Sequence, residues 1–353
     1  MNIVVLTGGL STERDVSFKT GDGMAKAYRE LGHKAILVDV FMGYGDEEMD
    51  VSGFFERDME VSCEAPDIPK EAPDLEAIRR SRKDQSPVFF GPNVLALCRA
   101  ADVVVMGLHG ENGENGKIQA ALDLLGVKYT GSDYLSCAMS MDKTITKKMF
   151  AANGVPCPEG FGIKIDQWKS GEYKKVTPPI PCVVKPASGG SSIGMSIVND
   201  IKDYEKALEN GFFCDDNVVV ESFIKGREFT VGILGDRVLP VVEAVPVTGA
   251  FDYANKYTAG ATVETCPADI PEELAKKMGE VALAAAKSVG MKVYCRIDIM
   301  QDEATGNLYA LEVNALPGMT PTSFIPREAR VVGLSYNQLC DEILRLSLEK
   351  YED

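Results

Sequence analysis

Near the C-terminal end, YCRIDIM (Tyr294–Met300) and LYALEVNAL (Leu308–Leu316) flank the short link DEATGN. Both alternate in polarity with the period of two that sends successive strand side chains to opposite faces. One face of the first carries Tyr294, Arg296, Asp298 and Met300, and Cys295, Ile297 and Ile299 take the other. In the second, Leu308, Ala310, Glu312 and Asn314 are expected on one face, opposed by Tyr309, Leu311 and Val313. The Gly and Asn of the link suit a hairpin turn. The expectation is an antiparallel hairpin that projects Arg296, Asp298, Glu312 and Asn314 from a single face. Asp298, Glu312 and Asn314 are all-oxygen ligands, which suit Mg²⁺ and not Zn²⁺, and Glu312 could bridge a cation pair. A solvated face with an Arg–Asp surface pair would show the same pattern.

The first stretch alternates strands and helices. NIVVLTGG is a buried strand, a helix runs to about Leu31 and stops at Gly32, HKAILVDV and ADVVVMGLHG are further strands, and GKIQAALDLLG is a helix. This predicts a parallel α/β domain over 1–131, interrupted at 41–90 by an irregular surface excursion with one helical piece near PDLEAIRRSRK. A second unit over 132–223 holds the helix SMDKTITKKMFAANG and a sheet containing CVVKP, SIGMSIV and NVVVESF. A third, 224–353, surrounds the helix PEELAKKMGEVALAAAKSVG with strands and closes on NQLCDEILRLSLEKY. A chain of 353 residues has room for such an α/β (α+β) three-domain arrangement.

A formal charge of −16 argues against a nucleic-acid surface, which needs a basic stripe. The longest apolar runs are strand-length and MNIVVLTGG lacks a basic leader region, so no membrane partner and a cytoplasmic location are expected. Nine cysteines lie scattered without CxxC and read as reduced thiols, and with only His33 and His109 a histidine-based metal centre is nearly excluded.

Three further stretches bear on chemistry. In PCVVKPASGGSSIGMSIV, Lys185 ends a strand before a Gly/Ser loop whose N–H groups and Ser191 and Ser192 hydroxyls can cradle oxyanions. It is no Walker A loop, and GENGENGK at Gly110–Lys117 lacks that spacing too; an ordinary hairpin loop would look alike. VVVESFIKGREFTVGIL places Glu221 and Glu228 about a link between sheets, where they could accept hydrogen bonds from adenosine or stand as solvated loop carboxylates. GGLSTERDVS follows the first strand, but Glu13 and Asp15 suit an ammonium group better than a pyrophosphate, and it is not GxGxxG. His109 in LHGENG falls at the carboxyl end of another strand of that domain, where ligands of open α/β sheets gather, although a core or loop position is the commoner fate of a lone His.

Taken in order, GGLSTERDVS, HGENGENGKIQ, SMDK, VVKPASGGSSIGM, VESFIKGREFTV, FDYANKY, RIDIM and LEVNALPGMTPTS resemble the ATP-grasp family, most closely its D-alanine–D-alanine ligase branch. The likeness spans nearly the whole chain except 41–90. It implies an ATP-grasp architecture with ATP held between two sheets, and ADP-forming condensation of two D-alanines through a D-alanyl phosphate, for peptidoglycan. On that resemblance Lys143, Lys185 and Ser192 hold phosphates, Glu221 and Glu228 the adenosine, Lys256 the γ-phosphate region, and Asp298, Glu312 and Asn314 two Mg²⁺, with Mn²⁺ a possible substitute. Glu13 meets the first ammonium, Arg296 and the Gly318 N–H stabilise the oxyanion, and Ser323 takes the second carboxylate. Val16, His109 and Phe324 are substrate contacts, and Glu13, Ser191 and Tyr257 link the first domain, the flap and the 250s loop. A homodimer through the first domain is also implied.

Phe324 stands where Leu or Met is more usual, Phe251 where Tyr is expected, and the flap ASGGSS lacks the charges some relatives carry. D-Alanyl-D-serine and D-alanyl-D-lactate ligases are therefore the near alternatives, and a non-catalytic ATP or amino-acid sensor on the same fold is a more distant one.

Overall fold

The computed structural model describes residues 1–45, 48–56, 73–190, 192–246 and 262–352. Ser191, Lys256 and Tyr257, and with them the link between flap and 250s loop, lie outside the described residues.

β1 (Asn2–Thr7) is apolar on both faces and sits at the centre of a three-stranded parallel sheet. Helix α1 (Arg14–Glu30) packs on it and ends where Gly32 takes a left-handed φ of 85°, returning the chain to β2 (Lys34–Asp39). The excursion that follows carries the expected helix, α2 (Leu75–Ser81), and the unforeseen α3 (Val94–Ala100). It is less superficial than its composition suggests. Phe41, Phe54 and Phe55 are buried in or against the first core, and the Arg82 guanidinium lies 4.8 Å from the Phe41 ring. β3 (Val103–Met106) completes the sheet, followed by α4 (Glu111–Glu114) and α5 (Lys117–Leu124).

The segment read as one helix is two, α6 (Tyr134–Met141) and α7 (Lys143–Ala152), because the Asp142 side chain caps the second through the Thr144 and Ile145 N–H groups. Phe150 at the end of α7 is buried beneath the C-terminal sheet, so this helix packs with the third unit rather than the second. β4 (Gly160–Lys164), α8 (Ile165–Lys169), β5 (Cys182–Pro186), β6 (Ser196–Val198), α9 (Tyr204–Cys214) and β7 (Asn217–Ser222) form a small layer with sheet order β4-β7-β5-β6.

The larger sheet comprises β8 (Gly226–Leu234), β9 (Arg237–Val238), β10 (Val242–Pro246), β11 (Thr262–Thr265), β12 (Tyr294–Asp302) and β13 (Leu308–Asn314). It is backed by α10 (Glu272–Ser288) and followed by α11 (Phe324–Val331) and α12 (Tyr336–Leu348).

The hairpin of β12 and β13 forms, with Arg296 opposite Asn314 and Asp298 opposite Glu312. A bulge then shifts the register, so that Ile299 faces Ala310 and Leu311 has no opposite number. The bulge reverses the alternation below it. Ala310 and Leu308 turn to the core against α10 and do not share a face with Glu312, while Leu311 joins Glu312 along the cavity.

α12 packs against α1. Leu339, Cys340, Ile343 and Leu344 belong to the same buried core as β1 and α1. Tyr28 donates its hydroxyl to the Cys340 carbonyl at 3.0 Å, the Gly131 N–H donates to Ser347 Oγ, and the Tyr129 N–H to the Tyr351 hydroxyl. The eight described cysteines are unpaired, five of them buried, and no helix among the described residues is long and apolar enough to cross a membrane.

Candidate active site

The two antiparallel sheets face each other across a cavity of ≈ 610 Å³. Cap placement at Asp142 sets Lys143 at the start of α7, where its Nζ donates to the Gly189 carbonyl at 3.0 Å and lies 3.4 Å from Glu312 Oε2. One turn on, Lys147 Nζ donates to the Pro158 carbonyl and sits 2.6 Å from Glu221 Oε2. Lys185, near the end of β5, reaches Glu221 Oε1 from the other side, also at 2.6 Å. Burial alone would raise the Glu221 carboxyl, but the two ammonium groups outweigh it and hold the group below the usual range. Burial likewise works against the charge on Lys185, and Glu221 and Glu312 reverse it.

From the hairpin, Asp298 and Glu312 line the other wall, with Arg296 and Asn314 bonded to Asp298. Arg296 donates from Nε and Nη2 to the two oxygens of Asp298, both at 2.9 Å. Thr230 Oγ1 adds a bond to Asp298 Oδ1 at 2.8 Å, and Asn314 Nδ2 one to Oδ2 at 3.1 Å. Among the described residues no three His, Cys, Asp or Glu side chains converge as a metal cage. Two carboxylates and the Asn314 carbonyl, beside lysines suited to phosphates, nevertheless fit Mg²⁺, which completes its shell with substrate phosphates and water.

At the mouth of the first sheet, the flap backbone passes beside Glu13. A Cβ on Gly190 would lie 3.3 Å from both of its carboxylate oxygens. His109 is buried, with Nδ1 2.8 Å from the Leu316 carbonyl and Nε2 2.7 Å from Thr20 Oγ1. Its burial lowers the ring's proton affinity, so a neutral tautomer donates from Nδ1 to Leu316 and accepts from Thr20. Glu114 accepts from the Gly110 and Leu316 N–H groups, and burial, with Glu13 nearby, raises its carboxyl. These bonds fix the loop that carries Gly318. Ser323 stands at the N-cap position of α11 with its hydroxyl turned back to accept from the Thr320 N–H at 3.1 Å, and Phe324 opens that helix with its ring centroid 5.4 Å from the Arg296 guanidinium.

Residues 2–132 match the family model described as D-ala D-ala ligase N-terminus, and residues 149–345 the model for its C-terminus. The chain belongs to the D-alanine–D-alanine ligase family. It is 38% identical to a D-alanine–D-alanine ligase of Pediococcus pentosaceus, with 100% of the chain and 99% of that protein covered. A ligase of the same name from Lacticaseibacillus casei is also 38% identical, over 100% and 97%. The solved D-alanine–D-alanine ligase of Bacillus anthracis superposes with a TM-score of 0.72 at 31% identity over 100% of both chains. The VanG D-Ala:D-Ser ligase of Enterococcus faecalis superposes with 0.76 at 27% identity over 98% of both. The architecture is accordingly ATP-grasp, and the protein is a ligase of cell-wall biosynthesis.

In this ligase Lys143, Lys185, Ser192, Glu221, Glu228, Asp298 and Glu312 all line the cavity. Glu221 has partners the sequence did not suggest: its two oxygens pair with Lys185 and Lys147, and it is 3% exposed. His109 acts as a bracket between α1 and the Leu316 loop, and Val16 is buried on α1 one turn before Thr20. Sequence reasoning missed Lys147, although SMDKTITK puts it four residues after Lys143 on one helix face. Removing it by Lys147→Met is expected to cost roughly 1–3 kcal/mol, because a buried carboxylate oxygen loses its charged partner. A fall in the urea midpoint with a raised KM for the nucleotide checks this; unchanged values for both would contradict it.

Proposed function

We propose that the chain joins two D-alanines into D-alanyl-D-alanine with release of ADP and phosphate. The solved Bacillus anthracis ligase complexed with ATP, 28% identical over the full length of both chains with a TM-score of 0.71, supports ATP as the nucleotide. The γ-phosphoryl group passes to the first D-alanine carboxylate, giving an acyl phosphate. The second amine attacks that carbonyl, a tetrahedral oxyanion forms, and phosphate leaves. Lys143 and Lys185 hold the phosphates, Glu13 the first ammonium, Arg296 and the Gly318 N–H the oxyanion, and Ser323 the second carboxylate. Two Mg²⁺, or Mn²⁺, on Asp298, Glu312 and Asn314 would neutralise phosphate charge during transfer. Cytoplasmic location and a homodimer through the first domain belong to the same reading.

The observation that carries the choice of second substrate is Phe324. Its ring lies beside the Arg296 guanidinium at the head of α11 and offers a side-chain hydroxyl no hydrogen bond. D-Serine entering there would bury its hydroxyl at a cost of roughly 1–3 kcal/mol. The likeness to a D-Ala:D-Ser ligase makes D-serine the alternative to test. With equal D-alanine and D-serine, the product is expected to be mostly D-alanyl-D-alanine, and Phe324→Arg, which supplies a donor, shifts it toward D-alanyl-D-serine. Mostly D-alanyl-D-serine from the unmodified chain would move it to the serine-forming ligases. D-Lactate in place of D-serine is expected to lose the same contest.

A further inference from the structure

The carboxyl of Glu328 is fully buried. It lies on α11, one turn beyond Phe324. Its Oε1 accepts the Gly232 N–H at 2.9 Å, while Oε2 is buried with no hydrogen-bond partner. Gly232 needs that acceptor because β8 changes neighbours there. β10 pairs with β8 as far as Thr230 opposite Val242, and β9 takes over at Ile233 opposite Val238. The Gly232 carbonyl is taken by the Leu239 N–H, which leaves the amide to a side chain. On its other edge Gly232 pairs with Arg296.

Gly232 also lets α11 come this close. A Cβ built there would lie 2.3 Å from Glu328 Oε2 and 2.5 Å from the Ile325 methyl. The side chain of Glu328 and the bare backbone of Gly232 thus form one contact that seats the first turns of α11 on β8, level with Arg296. That helix begins at Ser323 and Phe324, the two residues assigned above to the second amino acid.

We propose that Glu328 is a positioning residue for the second substrate, setting the distance of Ser323 and Phe324 from Arg296 through its bond to the Gly232 amide. Burial pushes its carboxyl up to about 8 against the pull of the Gly232 N–H and of Arg296, and the bond to that amide needs only an acceptor oxygen, which glutamine also supplies.

The inference rests on the proposed reaction and on the placement of its second subsite. It is tested on the full chain by following ADP release and dipeptide together, and by resolving KM for ATP, the first D-alanine and the second. Glu328→Met removes the acceptor at similar volume, and Gly232→Ala wedges α11 away from the strand. Each is expected to raise KM for the second D-alanine about tenfold, one buried hydrogen bond's worth, and to leave the other two constants within about twofold. Glu328→Gln should restore all three. A purely structural role would lower the melting midpoint and the active fraction and leave the KM values together. Variants that fold but show no selective rise in the second KM, or that raise all three alike, would overturn the inference. Were Glu328→Met not to fold, Gly232→Ala and Glu328→Gln decide it in the same way. An unmodified chain that releases no ADP and forms no dipeptide would remove the proposed reaction, and this inference with it.

Discussion

Glu312→Gln is expected to lower turnover by at least about a hundredfold, more than outer-shell changes around metals usually cost. The residue stands beside the bulge of β13, on the cavity face and clear of the core that holds Ala310 and Val313. Glutamine keeps its shape and removes its charge. Two things are then lost, the partner of Lys143 at 3.4 Å and a carboxylate ligand for the proposed cations. The melting midpoint should hardly move, and the Mg²⁺ concentration for half-maximal rate should rise. Activity within about tenfold of the unmodified chain would refute the assignment of Glu312 as a ligand.

Arg296→Lys is the second large effect. Asp298 grips the guanidinium by two parallel bonds, which fixes the plane of the group where the oxyanion is proposed to form. Lysine keeps the charge and cannot reproduce the fork, so kcat should fall by roughly 10²–10³. KM for ATP should change little, since the phosphates are assigned to Lys143 and Lys185. Circular dichroism and the urea midpoint separate this outcome from misfolding. A lysine variant that turns over at the unmodified rate would show that Arg296 has no part in the chemistry.

The parts of the fold most legible in the sequence are those set by period. Alternation in YCRIDIM put Arg296 and Asp298 on one face, and apolar runs marked β1 and β3. Period fails where one residue is inserted: the alternation of LYALEVN continues smoothly through Leu311, and only pairing with β12 reveals the slip that sends Ala310 inward. Composition misled at 41–90, where charged residues conceal Phe54 and Phe55 in the core. The lysine partners of Glu221 were not legible, because they come from α7 and β5, and nothing local to VVVESF points to them. Glu328 was invisible for a similar reason. In PREAR it reads as a surface charge, and its burial depends on a strand almost a hundred residues away.

The joint between α12 and the first sheet bears on how the protein is made. Residues 2–132 match a family model by themselves, as though they were a unit able to fold on leaving the ribosome. Yet their core includes Leu339, Ile343 and Leu344, and the backbone at Tyr129 and Gly131 finds partners at Tyr351 and Ser347. Translation at roughly 5–20 residues per second leaves that surface uncovered for something like 10–40 s. During this interval the first domain lacks the apolar cover that α12 supplies. The core of the first domain is complete only once α12 has been made.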